Sequence, residues 1–531
     1  MSLRDLNEGS PNEPVITDLC VIGSGPAGLT VARAGAERGL SVVILEAGPR
    51  NAEVRTEPYS IEFPRRAYTG ATLGRAFGLG GTSVLWGGQL LPMRREEMAT
   101  RPGAPGPGWP IRLEELTPYY DTLLNWLDID RGPFEVTRSH PVGHPMTQLD
   151  WTGLSPRLSK WIPFRRRNLA QAWMNGILRT NRVACWYNAT VTGFETRGKH
   201  ADAQISAVLG RSFKGQPLRV HCKHVVICAG ALESARLVQD LLHQTGTAAG
   251  SDGTIAGHFL QDHLSLRIAR VIPMNRRALA MLFAPVFQGV TMQSPRLHLS
   301  PALAQERGLP AAYAHIVTES PPDSGFAALR DTLRNLQARR ILAACSSGLR
   351  LLRRAPEVFE IVWWRLVHRR LVSPRSAKLY LNLDFEQPQL RENCVLFRKT
   401  DARSTDGEMI VDWDLGCDPE AIVLTIREQL ESFWKRNDLA RLARLEFFEL
   451  SEIRSAWPNN LYEIYHPAGT TRMAADVRNG VVDPSLRVYG TANCYVVSSS
   501  VFPSMGAANP TFTVMALGLR LIAYLTRSLA S

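Results

Sequence analysis

Gly23-Ser24-Gly25-Pro26-Ala27-Gly28 offers phosphate-binding chemistry without a single charged side chain. In a G-x-G-x-x-G run the first glycine makes a tight turn and the second lets a pyrophosphate approach the backbone. The third lets a helix pack closely on a strand. A helix starting there aims free N–H groups and its positive dipole end at the phosphates. Glu46 stands at the right distance to accept hydrogen bonds from ribose hydroxyls, and its charge disfavours a cofactor carrying a 2′-phosphate.

That chemistry requires a strand before the glycines and a helix after them. Val15 to Ile22 is a short, β-branched apolar run that reads as a buried parallel strand. Leu29 to Gly39 reads as an alanine-rich helix closed by glycine, and Ser41 to Leu45 as a second strand ending at Glu46. Gly78 to Gly88, with Gly80, Gly81, Thr82, Ser83, Trp86 and Gly87, crowds small residues beside a tryptophan. Such a stretch suits a backbone laid along a flat ring system. Val225 to Cys228, followed by Ala229, Gly230 and a helical pattern to Leu237, returns the chain to the same sheet by a parallel crossover. Together these stretches favour FAD over NAD.

The bulk properties set outer bounds. A chain of 531 residues, 45% hydrophobic and 21% charged, is an ordinary globular composition for two to four domains. Met1 to Pro14 has no signal-peptide pattern, and no apolar run is long enough to span a bilayer, so a cytoplasmic protein is expected. Eight scattered cysteines without C-x-x-C spacing indicate neither a disulfide framework nor a metal site. The net charge of +12 suits anionic substrates, a membrane surface or simply a solubilised basic exterior. No nucleic-acid module accompanies it, so a nucleic-acid partner is not expected.

Ordered along the whole chain, these motifs resemble the glucose–methanol–choline (GMC) oxidoreductase family. The resemblance rests on Ile44-Leu45-Glu46-Ala47-Gly48, the Gly80 loop, Gly108-Trp109-Pro110, Pro118-Tyr119-Tyr120, Cys228-Ala229-Gly230 and Gly257 to His263. It continues through His466-Pro467-Ala468-Gly469-Thr470-Thr471-Arg472-Met473 and Val501-Phe502-Pro503 to Asn509-Pro510-Thr511. It implies an α/β architecture: a Rossmann-like FAD-binding domain (14–92, 183–272 and 465–531) interleaved with a sheet-based α+β substrate domain and cap (93–182 and 273–464).

The resemblance also implies roles. His466 matches the family's catalytic histidine and Asn509 its partner opposite, a His/Asn pair closest to the pyranose-oxidase-like branch. Val191, Ala229, Gly230, Ser498, Ser499, Pro510 and Thr511 join the glycine motifs as cofactor contacts, although many relatives carry aspartate where Ser498 stands. Some relatives attach FAD to a histidine in the glycine-rich loop. Residues 78–91 hold none, so non-covalent FAD is expected. The implied reaction oxidises a small-molecule alcohol, a sugar, glycoside or polyol, with O2 or a quinone as acceptor. The alternatives are a lipid-linked or hydrophobic alcohol and a non-redox, lyase-type member of the fold. His258 and His263 read as structural, and oligomeric state is not legible.

Residues 327–378 fit the resemblance least. Leu329 to Arg340 and Leu349 to Arg370 are helix-like, basic and apolar on alternate turns, with Trp363 and Trp364 between basic ends. They form either a cap on the substrate domain or a peripheral membrane contact.

Overall fold

A computed structural model describes residues 2–52, 59–102, 106–137, 145–198, 202–246, 255–337, 341–399, 407–416 and 418–527. Two sheets organise it. The first orders Leu3–Asp5, Val183–Tyr187, Val42–Leu45, Val15–Ile22 and Pro217–Ile227 side by side, and every one of these pairs is parallel. Gln204–Arg211 and Thr190–Arg197 extend it antiparallel, and Cys494–Val496 pairs parallel with Pro217–Ile227. Val42–Leu45 is buried throughout, as a strand covered on both faces must be. The helix Pro26–Glu37 begins with proline at its first turn, three residues earlier than the alanine pattern suggested, because proline's fixed φ suits that position.

The second sheet is antiparallel, in the order Ala443–Phe447, His263–Pro273, Lys378–Glu386, Ala312–Glu319, Thr291–Leu299, Leu154–Trp161, Gln89–Leu90. Its two faces differ. Leu266, Leu383, Ala314 and Leu297 run in register across one face and enter a buried apolar core. One residue along, Ser265, Asp384, Tyr313 and His298 run in register across the other, and all four are buried. Alternation of this kind is the signature of a sheet with unlike surroundings on its faces.

Strand membership departs from the expected boundaries in three places. Leu3–Asp5 joins the parallel sheet, Gln89–Leu90 joins the antiparallel one, and His263–Pro273 is central to the latter rather than to the dinucleotide unit. Leu264, Leu266 and Ile268 alternate with His263, Ser265 and Arg267. A strand buried in a parallel sheet would read as a continuous apolar run instead.

The basic segment forms three helices, Gly325–Gln337, Ile341–Arg353 and Ala355–Val367. Residues 338–340, the end of the first expected helix, lie outside the described residues. The second run is interrupted at Arg354, since Pro356 cannot donate within a continuing helix and instead opens the next one. No helix among the described residues is long and apolar enough to cross a membrane.

Candidate active site

The dinucleotide motif is closed by backbone contacts that only glycine permits. Gly23 has φ +102°, and a Cβ there would lie 2.6 Å from the Cys228 carbonyl oxygen. A Cβ on Gly28 would lie 1.9 Å from the Gly23 carbonyl oxygen. Gly25 differs, since a Cβ would meet nothing within 4 Å, and it caps Pro26–Glu37 without a side-chain hydrogen bond. The helix N–H groups therefore front open space, which fits a pyrophosphate. Gly80 donates its N–H to the Ser24 carbonyl at 3.2 Å, and Gly81 packs on the Gly25 Cα, so the second glycine loop is joined to the first. Gly230, at φ +76°, opens the helix Gly230–Thr245 beside open space.

Other expected contacts are placed differently. Both Glu46 oxygens already accept two hydrogen bonds each: Oε2 from Ser24 N and Oγ at 2.9 and 2.7 Å, Oε1 from Gly48 N and Gly78 N at 3.0 Å. A carboxylate has about four acceptor sites, so a ribose hydroxyl reaches Glu46 only by replacing one of these donors. The acid at the strand end was legible, but its long-range donors were not.

Ser83 gives its hydroxyl to Gly80 O and accepts from Leu169 N, which knots the loop to the helix Leu169–Arg179. Trp86 donates to Arg167 O at 2.8 Å, while Thr82 and Gly87 are exposed. Val191 puts its side chain into the core. Ser498 caps the turn Ser499–Val501, and Ser499 donates to the Pro467 carbonyl at 2.6 Å. These two serines thereby hold the segment that carries His466.

Two imidazoles meet at that segment. His263 Nδ1 and His466 Nδ1 are 2.9 Å apart, and His263 Nε2 is 2.8 Å from the Gly506 carbonyl oxygen. A carbonyl only accepts, so His263 carries its proton on Nε2 and presents a lone pair at Nδ1. His466 must then donate from Nδ1, which leaves the lone pair of Nε2 free. Asn509 Nδ2 lies 3.4 Å from that nitrogen. Burial holds His466 well below the usual imidazole range, and proximity to His263 and the Arg296 charge pushes the same way. Burial also lowers His263. His466 is thus a neutral imidazole with one nitrogen committed and the other open to a proton.

Asp262 fixes the geometry from below. Its Oδ1 accepts from the backbone N–H of both His263 and His466, at 2.7 and 2.8 Å, and Tyr68 donates to Oδ2. Burial raises this carboxyl to about 7 against those hydrogen bonds. His263, expected to be structural, therefore touches the candidate base directly. The only sequence signal was its place beside a buried-type aspartate.

The loop before the last helix is held as firmly. Glu386 accepts from Met505 N and Gly506 N at 2.8 and 2.9 Å and pairs with Arg101, while Glu97 accepts from Ala507 N at 3.1 Å. Trp109 donates to Ser504 O at 3.1 Å, and Tyr120 bonds Thr513 at 2.8 Å, which accounts for the Gly108 and Pro118 motifs. Pro510 opens the helix Pro510–Arg527, with Thr511 half-buried in its first turn. Gly518 in this helix would put a Cβ 3.1 Å from Val31, so it packs closely on Pro26–Glu37. Asn509 is thereby tied to the helix Pro26–Glu37. Its Oδ1 is buried with no partner, an acceptor left for a ligand.

The buried polar face of the second sheet completes the surroundings. Asp384 accepts from Ser265 and Tyr313, each at 2.6 Å, and lies 3.1 Å from His315 Nε2. Arg296 stacks over Tyr313 at 4.1 Å, with Nε and Nη1 buried and without acceptors. A separate cavity of about 610 Å3 lies at Pro273, the end of the strand that starts at His263. At roughly 3.3 Å per residue, the strand puts it about 30 Å from the imidazoles. Among the described residues no His/Cys/Asp/Glu group could hold a metal ion.

Residues 400–518 match the GMC oxidoreductase family, and residues 21–70 match the NAD(P)-binding Rossmann-like domain. A dehydrogenase of Armillaria gallica is 46% identical over 52 residues, which is 10% of this chain and 8% of that protein. Two solved structures share the fold. Pyridoxine 4-oxidase from Mesorbium loti has a TM-score of 0.55 at 17% identity, covering 96% of this chain and 98% of its own. An Aspergillus oryzae RIB40 formate oxidase has a TM-score of 0.52 at 15% identity, covering 98% and 99%. The chain thus carries a GMC oxidoreductase match over residues 400–518, a Rossmann-like match over residues 21–70, and the fold of these two oxidases along nearly its whole length.

Proposed function

We propose that this protein oxidises the CH–OH group of a polar, polyhydroxylated alcohol, with His466 as base and Asn509 as the group that orients the substrate. The reading rests on one observation: the Gly506 carbonyl and His263 together leave His466 Nε2 unprotonated, beside the Asn509 amide. FAD, when bound, supplies the two-electron acceptor for the hydrogen on the carbinol carbon. The chain supplies the rest. His466 Nε2 takes the hydroxyl proton, and an Asn509 N–H donates to the alcohol oxygen as it gains charge. Asp262 and the serines at 498 and 499 hold the base in place.

The buried polar face supports a sugar, glycoside or polyol over a hydrophobic alcohol. Arg296 and Asn382 keep buried polar atoms without partners there, and a hydroxyl-rich substrate would supply them. A lyase-type reaction would not reduce the flavin. The histidine-free loop supports non-covalent FAD, so unfolding should release the yellow colour into solution.

The test is anaerobic flavin bleaching by a panel of sugars, sugar acids, glycosides and long-chain alcohols, with O2 or a quinone then added to reoxidise it. Bleaching by the polar members supports the reading, bleaching by long-chain alcohols alone replaces its substrate class, and no bleaching by any of them overturns it.

A further inference from the structure

We propose that the helical segment between Glu319 and Lys378 is a docking face for an anionic lipid bilayer. Glu319 and Lys378 are directly paired in adjacent antiparallel strands, which a connection of a few residues could join. The chain instead inserts three helices there, at the end of the sheet opposite His263. The sheet does not require them, so they serve another purpose.

Their surfaces carry two features together. Leu342, Leu349 and Leu352 recur at helical spacing along Ile341–Arg353, as do Phe359, Trp363 and Leu366 along Ala355–Val367, and each is at least half exposed. Large apolar side chains so displayed on a monomer mark an interaction surface rather than ordinary exterior. Residues 325–378 also hold twelve Arg and Lys against three Asp and Glu, which is nine of the chain's net +12. Arg334, Arg353 and Arg369 are exposed and pair with no carboxylate among the described residues.

A protein partner would suit the apolar stripe, and any polyanion would suit the charge. A bilayer with anionic headgroups suits both, since arginines meet the headgroups while leucines and tryptophan enter the interface. Docking concerns where the protein sits, because the cavity under Trp363 and Trp364 is about 30 Å along the strand from His263. It is independent of which alcohol is oxidised.

The experiment is flotation of the FAD-loaded full chain with phosphatidylcholine vesicles, with and without phosphatidylglycerol, at low and high salt. Wild type should float with the anionic vesicles at low salt and much less with phosphatidylcholine alone. The combined Leu342→Ser, Leu352→Ser, Trp363→Ser and Leu366→Ser variant should lose about tenfold or more of that partition, as should Arg353→Glu with Arg369→Glu. All six positions are exposed, so flavin absorbance and melting temperature should stay at wild-type values. Failure to float with anionic vesicles overturns the proposal. So does a serine variant that floats like wild type, which would mark plain polyanion binding. Light scattering that shows a wild-type dimer and a monomeric serine variant would assign the face to a second copy of the chain instead.

Discussion

His263 and His466 face each other Nδ1 to Nδ1 at 2.9 Å, and the Gly506 carbonyl behind His263 decides which of them carries the shared proton. An imidazole usually owes its free lone pair to its own neighbours. Here the constraint arrives from two residues away.

Replacing His466 with alanine should leave a yellow protein whose anaerobic reduction by substrate slows by about 10²–10⁴-fold. Stopped-flow absorbance at the flavin band measures this. An unchanged rate would remove His466 from the reaction.

His263→Asn should act through His466. Proximity of His263 contributes to the depressed pKa of His466, so its removal should move the acid limb of kcat/KM upward, towards ordinary imidazole values. A purely structural residue would lower the amount of active enzyme and leave that limb where it was. The pH profile separates the two outcomes.

Gly506→Ala should be costly out of proportion to its size. The backbone sits at φ +61°, and a Cβ would lie 2.9 Å from the Glu97 side chain. We expect a loss of about 1–3 kcal/mol, read as a lower melting temperature, together with slower flavin reduction. A variant equal to wild type in both would mean that the loop accommodates the change.

Stability should rise with pH through the mildly acidic range. Burial keeps His466, His263 and His298 neutral below the ordinary imidazole value of 6.5, whereas the unfolded chain protonates all three near it. The unfolded state then binds more protons as pH falls, and stability drops. Asp262 opposes this: raised from 3.8 to about 7, it keeps a native-state proton whose contribution is lost as pH rises through that value. Three imidazoles outweigh one carboxyl, so the melting temperature should climb between about pH 5 and 6.5. A fall over that window would contradict the neutral-histidine assignment.

Local rules reached a definite depth. The Gly23 turn, its flanking strand and helix, and the pairing of Val225–Ile227 with the same sheet were legible because each depends on a short window of residues. The candidate pair of His466 and Asn509 was legible only through resemblance, since nothing in a lone histidine or asparagine distinguishes it. The assignment of His263–Pro273 to the second sheet could have been read from its alternation, which the neighbouring glycine motif obscured.

What the sequence determined by itself was the strand-to-helix turn of Gly23 to Gly28, because steric demands on glycine are local and leave few alternatives. Only the tertiary structure decided what Glu46 holds, which face of the second sheet is polar and buried, and how His466 is protonated. Each of these depends on strand register and on partners tens to hundreds of residues away, such as Gly78 for Glu46 and Gly506 for His263. A hydrogen-bond donor reveals its role only when its acceptor is in place.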